Sequence, residues 1–219
     1  MADRLVIGLG GVAGAGKDLF FDLLSNKIPV RRFALADKLK WETAAWCYEH
    51  YNIDPLGCSR EDKDKVREFL VFHGTFKRRL SKGRHWINKL SPDIESFLMN
   101  AVTEDIPVVT DIRYQEYEND EASWIKDELN GVLVHISQYE KKEIPDKRNW
   151  PKTKIGKSFL KPVNTEEERM DPIIKKNADF LVKWEKIKCD NPRDSAYLNS
   201  EVDKFVSWYN EKSKKEENK

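Results

Sequence analysis

In the stretch "GLGGVAGAGKDLFF", residues 8–21, Gly11, four intervening residues, Gly16 and Lys17 have the spacing of a chain that cradles phosphate. Glycines let the backbone curl until several N–H groups point at one phosphate, and the helix that follows adds the positive end of its dipole. A lysine at this place contacts the outer phosphates and stabilises charge in flight. The residues of the loop are therefore Gly11, Val12, Ala13, Gly14, Ala15, Gly16, Lys17 and Asp18. Asp18 stands where a serine or threonine hydroxyl would ordinarily ligate magnesium. A carboxylate there can hold Mg2+ directly or through water. It also reads as an acid favoured in a helix's first turn, or as the mark of a loop that has lost its function. For the whole stretch, the alternative is a glycine-rich turn packed for structural reasons.

Such a loop works only between a strand and a helix. "RLVIGLG" is a continuous apolar run closed by glycines, the pattern of a strand buried on both faces. Phe20, Leu23 and Leu24 then mark a helix that stops near Asn26, before Pro29. "VRRFALA" predicts a second strand and "DKLKWETAAWCYEHY" a helix with Asp37 as its N-cap. Ser59 precedes a third helix carrying Val66, Phe69, Leu70 and His73 on one face, with Gly74 as its expected terminator. A helix around "PDIESFLMNAV" leads to the strand "IPVVTDIR", which ends at Asp111. Ala122, Ile125 and Leu129 define a helix closed by Asn130 and Gly131, "GVLVHIS" is a fourth strand and "ADFLVKW" a fifth. Residues 139–177 between them show little periodicity and read as a mobile excursion able to cover a site. "EVDKFVSWYNEK" is the last helix, and residues 213–219 read as a disordered tail. Alternating strands and helices predict an α/β fold with a mainly parallel five-stranded sheet flanked by helices. Ligands in such sheets bind beyond the carboxyl ends of the strands, where the glycine loop and Asp111 both fall.

Composition narrows the partners. The 39 basic and 38 acidic residues nearly cancel, so no whole-chain charge draws a nucleic-acid polymer or an anionic membrane. The apolar run from Leu5 to Leu9 is too short for an export signal or a membrane span, which places the protein in the cytoplasm as an expectation. Cys47, Cys58 and Cys189 are odd in number, widely spaced and expected to be free thiols. Trp41, Trp46, Trp86 and Trp124 read as packing residues, and His73 as a packed histidine.

"GVAGAGKD", "FALADKLK", "FHGTFKRR" with the following tryptophan, "VVTDIRYQEYENDEASWIK" and "PVNTEEERMDPIIKKNADFLVKW" together resemble the bacteriophage deoxynucleoside monophosphate kinases of the P-loop kinase superfamily, over most of residues 5–184. The resemblance implies one kinase domain over residues 1–212, with a helical acceptor-binding region at about 37–104 and a lid at about 139–177. It implies ATP and Mg2+, transfer of the terminal phosphoryl group to a deoxynucleoside monophosphate, and homodimerisation. An aspartate after the loop lysine is usual in that family, which argues for a working loop. By this reading Lys17, Asp111 and Arg113 are catalytic, and Asp18 and Asp111 organise the metal; Asp111 also reads as a simple strand-terminating or N-cap aspartate. Arg113 would grip the acceptor phosphate in a bidentate way, with Asp37, Lys40, Arg78, Arg79 and Trp86 as further acceptor-site residues. Each lone basic residue, Arg84 included, also reads as an ordinary surface charge. Lys141, Lys142, Arg148, Lys152 and Lys154 form either a cationic lid or a solvated loop. Two positions depart from the family pattern: Phe76 follows "GT" where an acid is frequent, and Tyr117 stands where a glutamate is usual, between Glu116 and Glu118. The rival readings are a phosphomevalonate-kinase-like enzyme and a regulatory module that binds ATP without turning it over.

Overall fold

The computed structural model describes residues 4–100, 102–145, 153–187 and 191–217. Its elements run β1 (Ile7–Gly10), α1 (Lys17–Ser25), β2 (Val30–Phe33), α2 (Leu35–Tyr51), α3 (Arg60–Leu80), α4 (Arg84–Met99), β3 (Ile106–Ile112), α5 (Glu121–Ser123), β4 (Val132–Pro145), β5 (Thr153–Phe159), α6 (Thr165–Asn177), β6 (Phe180–Glu185) and α7 (Ala196–Glu217). A π-helical turn, Trp124–Glu128, continues α5. The result is an α/β fold on a mixed sheet of six strands, in the order β2-β3-β1-β4-β5 with β6 also paired to β4.

Five of the strands are parallel, and β5 alone runs antiparallel, to the far half of β4. Tyr139 on β4 pairs with Phe159 of β5 and also with Glu185 of β6, so β5 extends the β1 side of the long strand. The sheet is thus neither five-stranded nor an uninterrupted parallel array. Within the expected excursion at 139–177, the far half of β4 pairs antiparallel with β5 and α6 follows; the paired strands are extended and so leave no helical period to read. The predicted lid cations Arg148 and Lys152, and the side chain of Lys154, lie outside the described residues. Lys141 pairs with Glu185 at 2.7 Å and Lys142 with Glu140 at 3.0 Å, so both are neutralised within the sheet.

β1 is buried along its whole length. Ile7 and Leu9 face α1 and α7 in one apolar layer with Phe20, Leu23, Phe205 and Trp184. Val6 belongs to the opposite layer with Leu35, Trp86, Ile87, Ile112, Trp124 and Ile174. Tyr209 of α7 ties the two ends of the chain together by donating its hydroxyl to Leu5 O at 2.7 Å. α7 continues to Glu217, so residues 213–217 of the expected tail are helical.

The α2–α3–α4 region forms a smaller layer around Cys47, Ile53, Val66 and Leu70. Ser59, which precedes the third helix, caps α3 by accepting from Asp62 N–H at 3.1 Å. Gly74 does not end α3, which continues to Leu80. Its missing side chain lets α2 approach, since a Cβ there would stand 3.1 Å from Leu39. Glu42 of α2 joins the three helices by pairing with His73 (2.8 Å) of α3 and with His85 and Lys89 (both 3.0 Å) of α4. Burial would raise its pKa, yet the hydrogen bonds from His73, His85 and Lys89 bring it down to about 2. His73 is therefore hydrogen-bonded to Glu42 as well as packed. Trp46 stacks on Phe69 with ring centroids 3.9 Å apart, and Trp86 and Trp124 are buried. Trp41 departs from the expected packing role and is 72% exposed. Cys47 and Cys58 are free thiols, and Cys189 lies outside the described residues.

Candidate nucleotide-binding site

The connections from β1 and from β3 leave in opposite directions, toward β2 and β4 respectively, an arrangement in which α/β sheets bind ligands at the carboxyl ends of such adjacent strands. The glycine loop follows β1 there, and Asp111 and Arg113 lie at the corresponding end of β3. Gly11, Gly14 and Gly16 adopt φ of +131°, +79° and +94°, values that side chains disfavour. At Gly11 a Cβ would stand 2.3 Å from the carbonyl oxygen of Ile136, and at Gly16 it would stand 2.7 Å from the ring of Trp184. Trp184, fully buried on β6, also donates its indole N–H to Ala15 O at 2.9 Å. The loop is thus shaped from beneath by β4 and β6. Gly16 is the N-cap of α1 and supplies no side-chain cap, which leaves first-turn amides for an anion.

Lys17 folds over the loop, donating to Gly11 O at 2.7 Å and to Val12 O at 3.1 Å. Burial lowers its pKa, and the charge of Arg113 lowers it further, while Glu167, Asp18 and Asp111 act in the opposite sense. These side chains, remote in sequence, share one electrostatic neighbourhood. Asp18 is exposed, and its carboxylate makes no hydrogen bond or ion pair with a described residue.

Asp111 has a structural task as well. Its Oδ1 accepts Leu35 N–H at 2.9 Å and its Oδ2 accepts Ala36 N–H at 2.7 Å, so it caps α2 from across the sheet. The predicted N-cap, Asp37, lies within the first turn instead, and the true N-cap position is Ala34, which has nothing to offer. Burial raises the pKa of Asp111 against the two amide hydrogen bonds. Two residues on, Arg113 is exposed, and its guanidinium has no hydrogen bond or ion pair among the described residues.

Its backbone is held by Glu121, which accepts the N–H groups of Arg113 at 2.7 Å and Tyr114 at 3.1 Å. Burial, then the charge of Asp120, pushes the Glu121 carboxyl up to about 8, with the Arg113 amide opposing. A carboxyl raised in the folded protein contributes stability that is fully present below its ordinary value and lost as pH climbs toward the folded one, a window from near 4.5 to about 8. Glu121→Gln, a neutral isostere, removes that dependence. Between pH 5 and pH 8 the wild-type melting temperature is expected to fall by about 5 °C or more relative to the variant. Parallel melting profiles would show that Glu121 ionises normally.

The expected acceptor-site residues separate. Arg78 is buried, pairing with Glu116 at 2.8 Å and with Asp120, and lying 3.8 Å from the Tyr114 ring centre. It holds α3 to the loop after β3. Asp37 is clasped between Arg32 at 2.7 Å and Lys40 at 2.9 Å. Burial would raise its pKa, but the hydrogen bonds from Lys40 and Arg32 lower it. Trp86 is buried, donating to Gly74 O at 3.1 Å, and Arg84 pairs with Glu128. Arg79 is exposed.

Glu167, Trp184 and His135 at this edge are not marked out individually by the sequence. Glu167 of α6 accepts Ala13 N–H, and Trp184 supports the loop. His135 on β4 is buried, with Nε2 2.9 Å from Asp171 and Nδ1 3.2 Å from the Ser137 hydroxyl. Only the N-cap pattern "NTEE" before α6 was a local clue, since Asn164 accepts Glu167 N–H at 2.8 Å.

No protein-family model matches the chain, and no curated protein matches it significantly. Among solved structures the chain is similar to a dephospho-CoA kinase from Campylobacter jejuni, at 15% identity, with 95% of this chain and 98% of that chain covered and a TM-score of 0.42. No helix among the described residues is long and apolar enough to cross a membrane.

Proposed function

We propose that the protein is a P-loop phosphotransferase that uses ATP and Mg2+ to phosphorylate a small phosphorylated acceptor, and that the acceptor is a deoxynucleoside monophosphate. One observation carries the reading: a glycine loop with positive φ values, an uncapped helix and Lys17 share an electrostatic neighbourhood with Arg113, whose guanidinium has no hydrogen bond or ion pair among the described residues. A module that only bound ATP would have no need of Arg113 there. Phosphoryl transfer brings two anionic molecules together, so its catalysis consists largely of positioning and charge stabilisation.

In this reading the loop amides and Lys17 hold the donor phosphates, and Arg113 orients the acceptor phosphate. An acceptor oxygen forms a bond to the terminal phosphorus as the bond to the bridging oxygen breaks, and ADP leaves. Mg2+ bound here would neutralise charge on the donor phosphates. The donor set fits the ion. Asp18 is exposed and unpaired among the described residues, and each Asp111 oxygen keeps a lone pair beyond its single amide bond. The deoxynucleotide assignment rests on the motif resemblance. It is tested by ADP release from ATP and Mg2+ with each deoxynucleoside monophosphate, each ribonucleotide and phosphomevalonate in turn. Turnover with phosphomevalonate alone would move the acceptor class, and ATP binding without acceptor-dependent release would refute the kinase.

Arg113→Ala is expected to raise the acceptor KM by about tenfold or more while ATP affinity stays within about twofold. Equal losses for both ligands, measured by steady-state kinetics and calorimetry, would place the effect in the strand end instead.

A further inference from the structure

The glycine loop already holds a carboxylate, and it comes from α6. Glu167 Oε1 accepts Ala13 N–H at 3.1 Å and Oε2 accepts Val163 N–H at 3.1 Å, while the backbone of Glu167 is itself fixed to the Asn164 cap. Both oxygens and the backbone are therefore anchored, which distinguishes this glutamate from a solvated surface acid. Farther along the same helix face, at intervals of one turn, Asp171 meets His135 at 2.9 Å and Lys175 donates to Ser137 Oγ at 3.3 Å. Between them Ile174 lies so close to β1 that a Cβ on Gly10 would stand 2.6 Å from it. The body of α6 is thus seated on β1 and β4, and its first turn reaches over the loop.

A loop built from amides, a helix N-terminus and a lysine is selective for negative charge. Glu167 supplies one such charge from within the chain, and it acts on Lys17 together with Asp18 and Asp111. We propose that Glu167 is a built-in occupant of the phosphate-binding loop, which takes the Ala13 amide and must be displaced when a polyphosphate enters. The inference rests on the phosphate-loop reading above. A carboxylate and a phosphoryl group cannot share that amide without strong repulsion in a partly buried site. Entry then requires the first turn of α6 to give way while Asp171, Ile174 and Lys175 keep the rest of the helix in place. The consequence is a threshold of charge. A triphosphate, which also engages the other loop amides and Lys17, overcomes the occupant, whereas inorganic phosphate competes with it poorly.

The test is calorimetric binding of ATP, inorganic phosphate and adenosine to the full chain and its variants. Glu167→Gln keeps the shape and an oxygen that can accept Ala13 N–H, but removes the charge. It is expected to tighten ATP and inorganic phosphate by about tenfold and to leave adenosine unchanged. Glu166→Gln removes the same charge one residue away, where the side chain bonds Arg169 at 3.0 Å, and should leave all three affinities unchanged. If Glu167→Gln does not fold, Glu167→Asp withdraws the carboxylate by one methylene and should act in the same direction. ATP affinity that is unaltered or weakened in these Glu167 variants overturns the proposal, as does an equal gain in Glu166→Gln. Binding of ATP that is absent, or indifferent to Lys17→Ala, would defeat the phosphate-loop reading and the inference together. Binding that depends on Lys17 but not on Glu167 would defeat the inference alone.

Discussion

Lys17→Ala is expected to lower turnover by about a hundredfold or more with the fold intact. Among the described residues the ammonium group bonds only loop carbonyls, Gly11 O and Val12 O, and it carries none of the apolar packing that holds β1 and α1 together. The loop keeps its shape without it. Trp184 still donates to Ala15 O, Ala15 N–H still donates to Val12 O at 3.1 Å, and the positive φ values belong to the glycines. What is lost is a cation at the point where donor phosphates would gather charge, in surroundings already partly screened from water. Steady-state turnover together with thermal melting checks the expectation. Near-normal turnover would remove Lys17 from the chemistry, and a large fall in melting temperature would show that the loop depends on it structurally.

Asp111→Ala is expected to damage two properties at once. Two hydrogen bonds to a carboxylate hold the first turn of α2, and their removal leaves the amides of Leu35 and Ala36 without a cap. The expected cost is about 2–4 kcal/mol of stability. If the same carboxylate also organises magnesium, activity at saturating ATP falls by about a hundredfold or more, and the Mg2+ concentration needed for half-maximal rate rises. Denaturant unfolding reads the first effect, and a magnesium titration of the remaining activity reads the second. A loss of stability with an unchanged magnesium dependence would assign Asp111 to the scaffold alone. Asp111→Asn does not serve as a benign control, because its amide group presents a donor to one of the two N–H groups that now find an acceptor.

Much of the fold follows from local pattern. The continuous apolar β1, the 3.6-residue period of Phe20, Leu23 and Leu24, and the Ser59 cap are short-range signals, and the structure contains each of them. Elsewhere a local signal is overridden at a distance. Gly74 reads as a helix terminator, but in α3 it makes room for Leu39 of a neighbouring helix. Asp37 reads as an N-cap, but Asp111 performs that task from β3. The polar, Lys-rich sequences of β5 and the far half of β4 look like a structureless segment until the two strands pair.

The candidate site divides in the same way. By itself the sequence determined the loop from Gly11 to Asp18 and its place between a strand and a helix, because a backbone with positive φ at neighbouring positions needs glycines there. It also placed Asp111 and Arg113 at the same sheet edge, since parallel strands put their carboxyl ends together. Only the tertiary structure decided which charges remain available. It buried Arg78 against Glu116 and Asp120, closed Asp37 between Arg32 and Lys40, and left Arg113 unpaired among the described residues. It also brought Glu167 to Ala13 and Trp184 beneath Gly16, across more than 150 positions of the chain. The reason is physical: the availability of a charge depends on which oppositely charged groups and how much water lie within a few ångströms, and that neighbourhood exists only once distant segments have packed.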